Sequence, residues 1–249
     1  MTVYFIGAGP GDPELITVKG QRLIRSCPVI LYAGSLVPAA LLDGHRAERV
    51  VNTAELHLSQ IVALLAEAHA LGQDVARVHS GDPSLYGAIG EQIRELRALN
   101  IPFEIVPGVT ATAACAALLE AELTLPEVAQ TVILTRYGHN SPMPAGEELG
   151  ALASHRATLA IHLGVQHLPR IIDELLPYYG ADCPIAVVHR ASWPDQDWVR
   201  GTLADIEARV AVKGFRRTAL ILVGRVLATD DFAQSALYAE ATRHLYRLD

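Results

Sequence analysis

The sequence predicts two α/β domains, the N-terminal one on a mostly parallel sheet and the C-terminal one on a mixed sheet, with a ligand crevice between them. Three observations lead there. Over the first 120 residues, short β-branched runs alternate with stretches whose apolar residues recur at spacings of three and four. Three loops of small residues, Gly11-Asp12-Pro13, Gly81-Asp82-Pro83 and Pro107-Gly108-Val109-Thr110, each follow such a run. Beyond residue 120 the strand-like runs crowd together, with fewer helical stretches between them.

In chain order, residues 3–6 read as strand, 17–26 as helix, 29–33 as strand, 58–71 as helix and 75–79 as strand. Residues 85–99 then read as helix, 103–106 as strand and 111–120 as helix. This alternation implies parallel strands covered on both faces, whose carboxyl ends share one rim. The three small-residue loops therefore gather where open α/β sheets bind small molecules. After residues 121–126 the runs fall at 131–135, 159–163, 185–189, 198–202 and 219–223. The close succession of 185–189 and 198–202 predicts an antiparallel hairpin. These readings divide the chain into domains at 1–120 and 121–249.

Composition narrows the classes. With 51% apolar residues in 249, the chain has ample material for one or two cores. No apolar run approaches the ~18 residues that cross a bilayer. The first strand-like run begins at residue 3, which predicts no signal peptide and a cytoplasmic protein without a membrane partner. A formal charge of -7 argues against nucleic acid as partner, since neutralising phosphates takes a basic face. Cys27, Cys115 and Cys183 are far apart, form no Cys-x-x-Cys pair, and read as packing residues. The ten histidines show no repeated metal-ligand spacing, so no metal site is expected. No nucleophile elbow, His-Glu-x-x-His or paired-carboxylate motif occurs, which leaves any catalytic side chain unassigned.

The run Gly7-Ala8-Gly9-Pro10-Gly11-Asp12 begins like a dinucleotide fingerprint but puts Asp12 where the third glycine belongs. The second strand also ends in Gly34-Ser35, with no acidic residue to hold a ribose. A nicotinamide or flavin enzyme is therefore a poor fit. Both Gly-Asp-Pro loops suit helix starts, with aspartate as cap and proline as first residue. Three such loops on one rim favour a ligand role for Asp82, which follows an interior strand, while Asp12 stands between cap and ligand.

Residues 7–20, 32–38, 79–83, 107–111, 135–136, 161–164 and 219–224 closely resemble the tetrapyrrole methyltransferases, and the resemblance runs over nearly the whole chain. It implies a two-domain fold with S-adenosylmethionine bent into the crevice, S-adenosylhomocysteine as product, a tetrapyrrole substrate and a homodimer. Carried over by motif, the cofactor site includes Pro10, Ser80, Gly81, Asp82, Leu85, Thr110, Ala111, Leu163, Ala191, Thr218 and Ala219. The implied substrate carries many carboxylates, which suits guanidinium groups at strand ends, with Arg136, Arg190 and Arg200 as candidates. Tyr32, Tyr86 and Tyr137 offer flat faces or hydroxyls to the same ligand. The chain departs from the family after Thr135-Arg136, where members often carry Gly-Arg and this sequence has Tyr137-Gly138.

Methyl transfer from a sulfonium to a neutral ring carbon disperses charge, so weakly polar loops of glycine, alanine, proline and serine suit it. Asp82 is expected to bind the cofactor's polar groups and not to act as a base. His79 and His162, each preceding a rim loop, are the histidines to follow.

Overall fold

A computed structural model describes residues 1–138 and 141–235. They form two compact units, Met1–Ala114 with Ala191–Asp195, and Cys115–Arg190 with the chain from Gln196 onward. The division falls inside a helix, and a short segment from the second half of the sequence belongs to the first unit.

The first unit carries β1 (Val3–Gly7), α1 (Val18–Ser26), β2 (Val29–Tyr32), β3 (Arg49–Asn52), α2 (Leu58–Ala70), β4 (Val75–His79), α3 (Gly90–Ala98), β5 (Phe103–Val106) and the start of α4 (Ala111–Leu118). The sheet has the order β3-β2-β4-β1-β5 and every pairing is parallel. Alternation along the strands sends Val3, Phe5, Leu31 and Val75 to one face, with Ile61, Leu65 and Leu96 of α2 and α3. Ile6, Ile30, Ala76 and Val78 face the other way, with Ile24 of α1. Each fully buried side chain of this size contributes roughly 1.5–3 kcal/mol.

Local sequence explains most of these elements. Thr17 caps α1 by accepting from the Gly20 amide, and Gly20 lies so close to the sheet that a Cβ would reach Ile6 Cγ2 at 2.9 Å. In α2, the Gln60 side chain accepts from the His57 amide at 2.9 Å, half of a capping box. The helix expected over 85–99 begins only at Gly90. Tyr86 (φ 55°) and Ala88 (φ 50°) are left-handed, which a helix does not admit. β3 is not among the expected strands: it is a short edge strand whose side chains are mostly exposed and so lack the apolar alternation of a strand with a core face.

The second unit carries β6 (Val132–Arg136), α5 (Leu149–Ala153), β7 (Thr158–His162), α6 (Leu168–Tyr179), β8 (Pro184–His189), β9 (Asp197–Thr202), α7 (Ile206–Lys213) and β10 (Ala219–Val223). Its sheet order is β6-β7-β10-β8-β9. β6 and β7 are parallel and the other pairings antiparallel, so the sheet is mixed as expected. The predicted hairpin is β8–β9, in the register Val187↔Val199. Leu159, Ile161, Ile185, Val187, Ile221 and Val223 pack against Ile171 and Leu175 of α6 and Ile206 of α7. Helices α5, α6 and α7 lie between these strands, fewer than the four helices α1 to α4 that precede them, as the crowding of strand-like runs predicts. Pro169 and Pro177 disguise α6, yet the first falls where a helix needs no amide donor and the second in the last turn.

Candidate active site

In the first unit, the carboxyl ends of β1 and β4 are joined by backbone, and the end of β5 lies close against them. Gly9 and Gly81 exchange hydrogen bonds, Gly81 N to Gly9 O at 2.7 Å and Gly9 N to Gly81 O at 3.2 Å. The Ala8 amide donates to His79 O at 2.7 Å. Such closeness needs residues without side chains: a Cβ on Gly7 would meet Gly108 Cα at 2.6 Å and Gly81 O at 2.7 Å, and one on Gly108 would overlap Gly81 O. Gly81 itself is left-handed (φ 62°), and a Cβ there would point into open space. The rim thus presents bare peptide groups with room for a ligand beside Gly81.

The two Gly-Asp-Pro loops do different work. Asp12 Oδ1 accepts from the Glu14 amide at 2.8 Å and caps a single 3-10 turn, Pro13–Leu15. Asp82 sits at no helix start. Its Oδ1 accepts from the Ser84 amide at 2.8 Å and from the Ser84 hydroxyl, and its Oδ2 accepts from the Gly108 amide at 2.9 Å. Asp82 therefore fastens the second loop to the third. Partial burial pushes its carboxyl up, but the hydrogen bonds from Ser84 and Gly108 outweigh this and hold the pKa below the ordinary value.

The other candidates of this unit lie along the same loops. Leu85 N donates to Asp82 O at 3.2 Å, and Ser80 is half-buried between His79 and Gly81. Thr110 and Ala111 open α4, where Thr110 Oγ1 accepts from the Ala113 amide at 3.2 Å. Ala191 is buried at the head of the segment that returns to this unit. That segment follows the first loop: Ser192 Oγ accepts from the Asp12 amide at 3.0 Å, and the Trp193 indole donates to Pro10 O at 2.8 Å. A Cβ on Gly11 would overlap the Trp193 ring. Ser192 and Trp193 are not among the residues expected at the site; the local sign of them is Gly11, which has to make way for an indole. Tyr32 ends β2 and Tyr86 is exposed in the turn after Leu85.

His79 ends β4 fully buried against Phe5, with ring centroids 5.9 Å apart. Burial and the nearby Arg77 charge lower its pKa to about 3 against a hydrogen bond with the Gly87 backbone. It is neutral at ordinary pH, and its Nε2 has no hydrogen-bond partner. His162 is also lowered by burial. All three cysteines are buried, and burial raises Cys27 and Cys115 to about 12 and Cys183 to about 11. Their thiols are correspondingly inert.

In the second unit, Leu163, Arg190, Thr218 and Ala219 meet at one end of the sheet. The register Ile221↔Ile161 brings Ala219 to the end of β10 beside the exit of β7, and the Arg190 amide donates to Thr218 O at 2.9 Å. Leu163 (φ 56°), Arg190 (φ 48°) and Thr218 (φ 53°) are all left-handed, and Leu163 is 70% exposed. Backbone held in such sparsely populated conformations concentrates at binding sites. Arg136 spends its guanidinium on the loop after it, donating to Ser141 O at 3.0 Å and Pro142 O at 3.3 Å. The Tyr137 hydroxyl donates to Glu174 at 3.0 Å; burial and this carboxylate raise its pKa. Arg200 departs from expectation: it lies within β9 and not at a strand end, and its guanidinium donates to Leu119 O.

Residues 2–207 match the sequence profile of the tetrapyrrole (corrin/porphyrin) methylases. The chain is 76% identical over 247 residues, 99% of each chain, to a precorrin-4 C(11)-methyltransferase of Pseudomonas aeruginosa. Among solved structures it is similar to a cobalt precorrin-4 methyltransferase of cobalamin biosynthesis, at 43% identity and a TM-score of 0.89, covering 92% of this chain and 96% of that one. A uroporphyrin-III C-methyltransferase of Thermus thermophilus, solved with S-adenosylhomocysteine, matches at 31% identity and a TM-score of 0.75, over 91% of this chain and 99% of that one.

Proposed function

The chain belongs to the tetrapyrrole (corrin/porphyrin) methylase family, and we propose that it transfers a methyl group from S-adenosylmethionine to carbon 11 of precorrin-4, giving precorrin-5 in cobalamin biosynthesis. The observation that carries this is the 76% identity, over essentially full length, to a precorrin-4 C(11)-methyltransferase. Cobalt-precorrin-4 is the second substrate to consider, because the solved structure named for that activity shares 43% identity. The higher identity favours the metal-free ring.

The rim of the first unit fits the cofactor: bare peptide groups approach closely, and the space beside Gly81 is filled by no Cβ. Pro10, Ser80, Gly81, Asp82, Leu85, Thr110, Ala111 and Ala191 hold it there in this reading, and the family resemblance adds Leu163, Thr218 and Ala219 as cofactor residues. When bound, S-adenosylmethionine supplies a methyl group on a sulfonium. Asp82 keeps the Gly108 loop against Gly81 and so preserves the space. His79 stays uncharged and adds no competing cation beneath the rim. With no charge to create, the chain's contribution is mainly positioning, for which effective molarities allow about 7–11 kcal/mol. Tyr32, Tyr86, Tyr137, Arg136 and Arg190 contact the tetrapyrrole in the same proposal. Resemblance to the family supports a homodimer working in the cytoplasm.

The test is direct: the purified chain is incubated with S-adenosylmethionine and either precorrin-4 or its cobalt form. A single methyl gain on the metal-free ring is expected by mass spectrometry. Gain only on the cobalt form selects the second substrate, and gain on neither rejects the reading. Light scattering tests the dimer.

A further inference from the structure

Beneath the sheet of the first unit runs a continuous buried hydrogen-bond chain that no step of the chemistry uses. The Thr53 hydroxyl donates to the Tyr32 carbonyl at 3.0 Å, and the Thr53 amide to the same oxygen at 2.9 Å. Arg77 Nη1 donates to Thr53 Oγ1 at 3.1 Å and to Leu31 O at 3.5 Å. Arg77 Nε donates to Gln92 Oε1 at 3.0 Å, and Gln92 Nε2 donates to the Ala88 carbonyl at 3.1 Å. Thr53, Arg77 and Gln92 are all buried.

Among the described residues no carboxylate pairs with Arg77. Burial lowers its pKa only to about 10, so the guanidinium remains charged at neutral pH. A lone buried charge is a poor stabiliser, and an apolar residue of its volume would serve the core as well or better. What the guanidinium supplies is direction: a rigid fork that reaches three acceptors, Leu31 O on β2, Thr53 Oγ1 just after β3 and Gln92 Oε1 on α3.

Both ends of this chain lie at candidate ligand contacts. One end is Tyr32, where β2 stops. The other is the turn over residues 85–88, in which Tyr86 and Ala88 are left-handed without being glycine. Such a turn persists only where its surroundings over-determine it. Gln92 holds it at Ala88, the His79 ring holds it at the Gly87 backbone, and Gly87 is pressed so near the Pro83 carbonyl that a Cβ would overlap it.

We propose that Arg77 and Gln92 are positioning residues, which fix the Tyr32 strand end and the Tyr86 turn in one mutual arrangement and so set affinity for the tetrapyrrole without acting on methyl transfer itself. This rests on the functional reading above for the ligand's identity, and on the hydrogen-bond chain alone for the mechanics.

The experiment uses Gln92→Glu in the full chain. Its carboxylate still accepts from Arg77 but has no donor for the Ala88 carbonyl, so the core keeps its bond and the turn loses one. Amide exchange over residues 84–89 is expected to quicken about tenfold while the thermal midpoint holds. KM for the tetrapyrrole is expected to rise about tenfold, with kcat within about twofold of the parent. Arg77→Met/Gln92→Met removes charge and acceptor together, which keeps a fold that a single deletion would break, and should show the same two effects. Wild-type exchange in both variants, or a fall in kcat at constant KM, overturns the proposal. If the parent methylates no tetrapyrrole, the functional reading fails, and the exchange rates still decide on the positioning role.

Discussion

The indole of Trp193 donates to the carbonyl of Pro10 at 2.8 Å, a bond between residues 183 positions apart. It closes the first rim loop from a segment that the sequence places deep in the second half. Trp193→Phe keeps an aromatic ring but removes the N–H donor and shrinks the bicycle, which should cost at least about 1 kcal/mol and loosen S-adenosylhomocysteine several-fold. Gly11→Ala drives a methyl into the ring and should cost about 1–3 kcal/mol. Urea unfolding and titration calorimetry check both; a Gly11→Ala protein as stable as the parent would show that the indole does not pack as described.

Gly81 and Gly108 should respond in opposite ways to the same added methyl. At Gly108 the Cβ overlaps the Gly81 carbonyl, so Gly108→Ala is expected to break the rim and unfold readily. At Gly81 the Cβ meets nothing, and the cost is the left-handed backbone alone, roughly 1–2 kcal/mol. Gly81→Ala should therefore fold but bind S-adenosylhomocysteine at least about tenfold more weakly, because the methyl occupies the ligand's space. Circular dichroism on both variants, with calorimetry on Gly81→Ala, separates fold from binding.

Asp82→Ala should leave the chain folded and weaken S-adenosylhomocysteine by about tenfold or more, since the clip to Gly108 is lost. The Asp82 pKa is depressed by folding, so its contribution is complete above the unfolded value of about 3.9 and disappears as pH falls through the lower folded value. Parent and variant stability curves should hence converge only under strongly acid conditions, which unfolding at stepped pH measures.

His79 makes the opposite kind of pH statement from an ordinary histidine. Its pKa falls to about 3 in the folded chain, against about 6.5 unfolded. Between those values the unfolded chain binds the extra proton, so the stability from keeping His79 neutral is full above about pH 6.5 and drains as pH falls toward 3. From pH 6.5 to 5 the loss should be on the order of 2 kcal/mol, and the slope should shrink in His79→Gln. Equal slopes in parent and variant would contradict the burial described here.

How far the sequence reached can be seen at β4 and at the turn after it. Residues 75–79 read as strand and form β4, because alternation and β-branching are local properties of adjacent residues. Ten residues on, the reading put helix over 85–89, where Tyr86 and Ala88 are left-handed. Nothing in that stretch alone forbids a helix; the buried groups that hold it otherwise come from other elements.

By itself the sequence determined the alternation of strands and helices, the parallel and mixed sheets, and the three small-residue loops at strand ends, since each depends on side-chain pattern within a few positions. Through the resemblance it also named the family. The tertiary structure decided which loop each aspartate serves, Asp12 as a local cap and Asp82 as a clip to Gly108, 26 positions away. It decided too that Ala191–Asp195 belongs to the first unit and that Arg77, indistinguishable in sequence from a surface arginine, lies buried between Thr53 and Gln92. These are pairings across long separations, fixed by packing and hydrogen-bond satisfaction in the folded chain, and residue order carries no local mark of them.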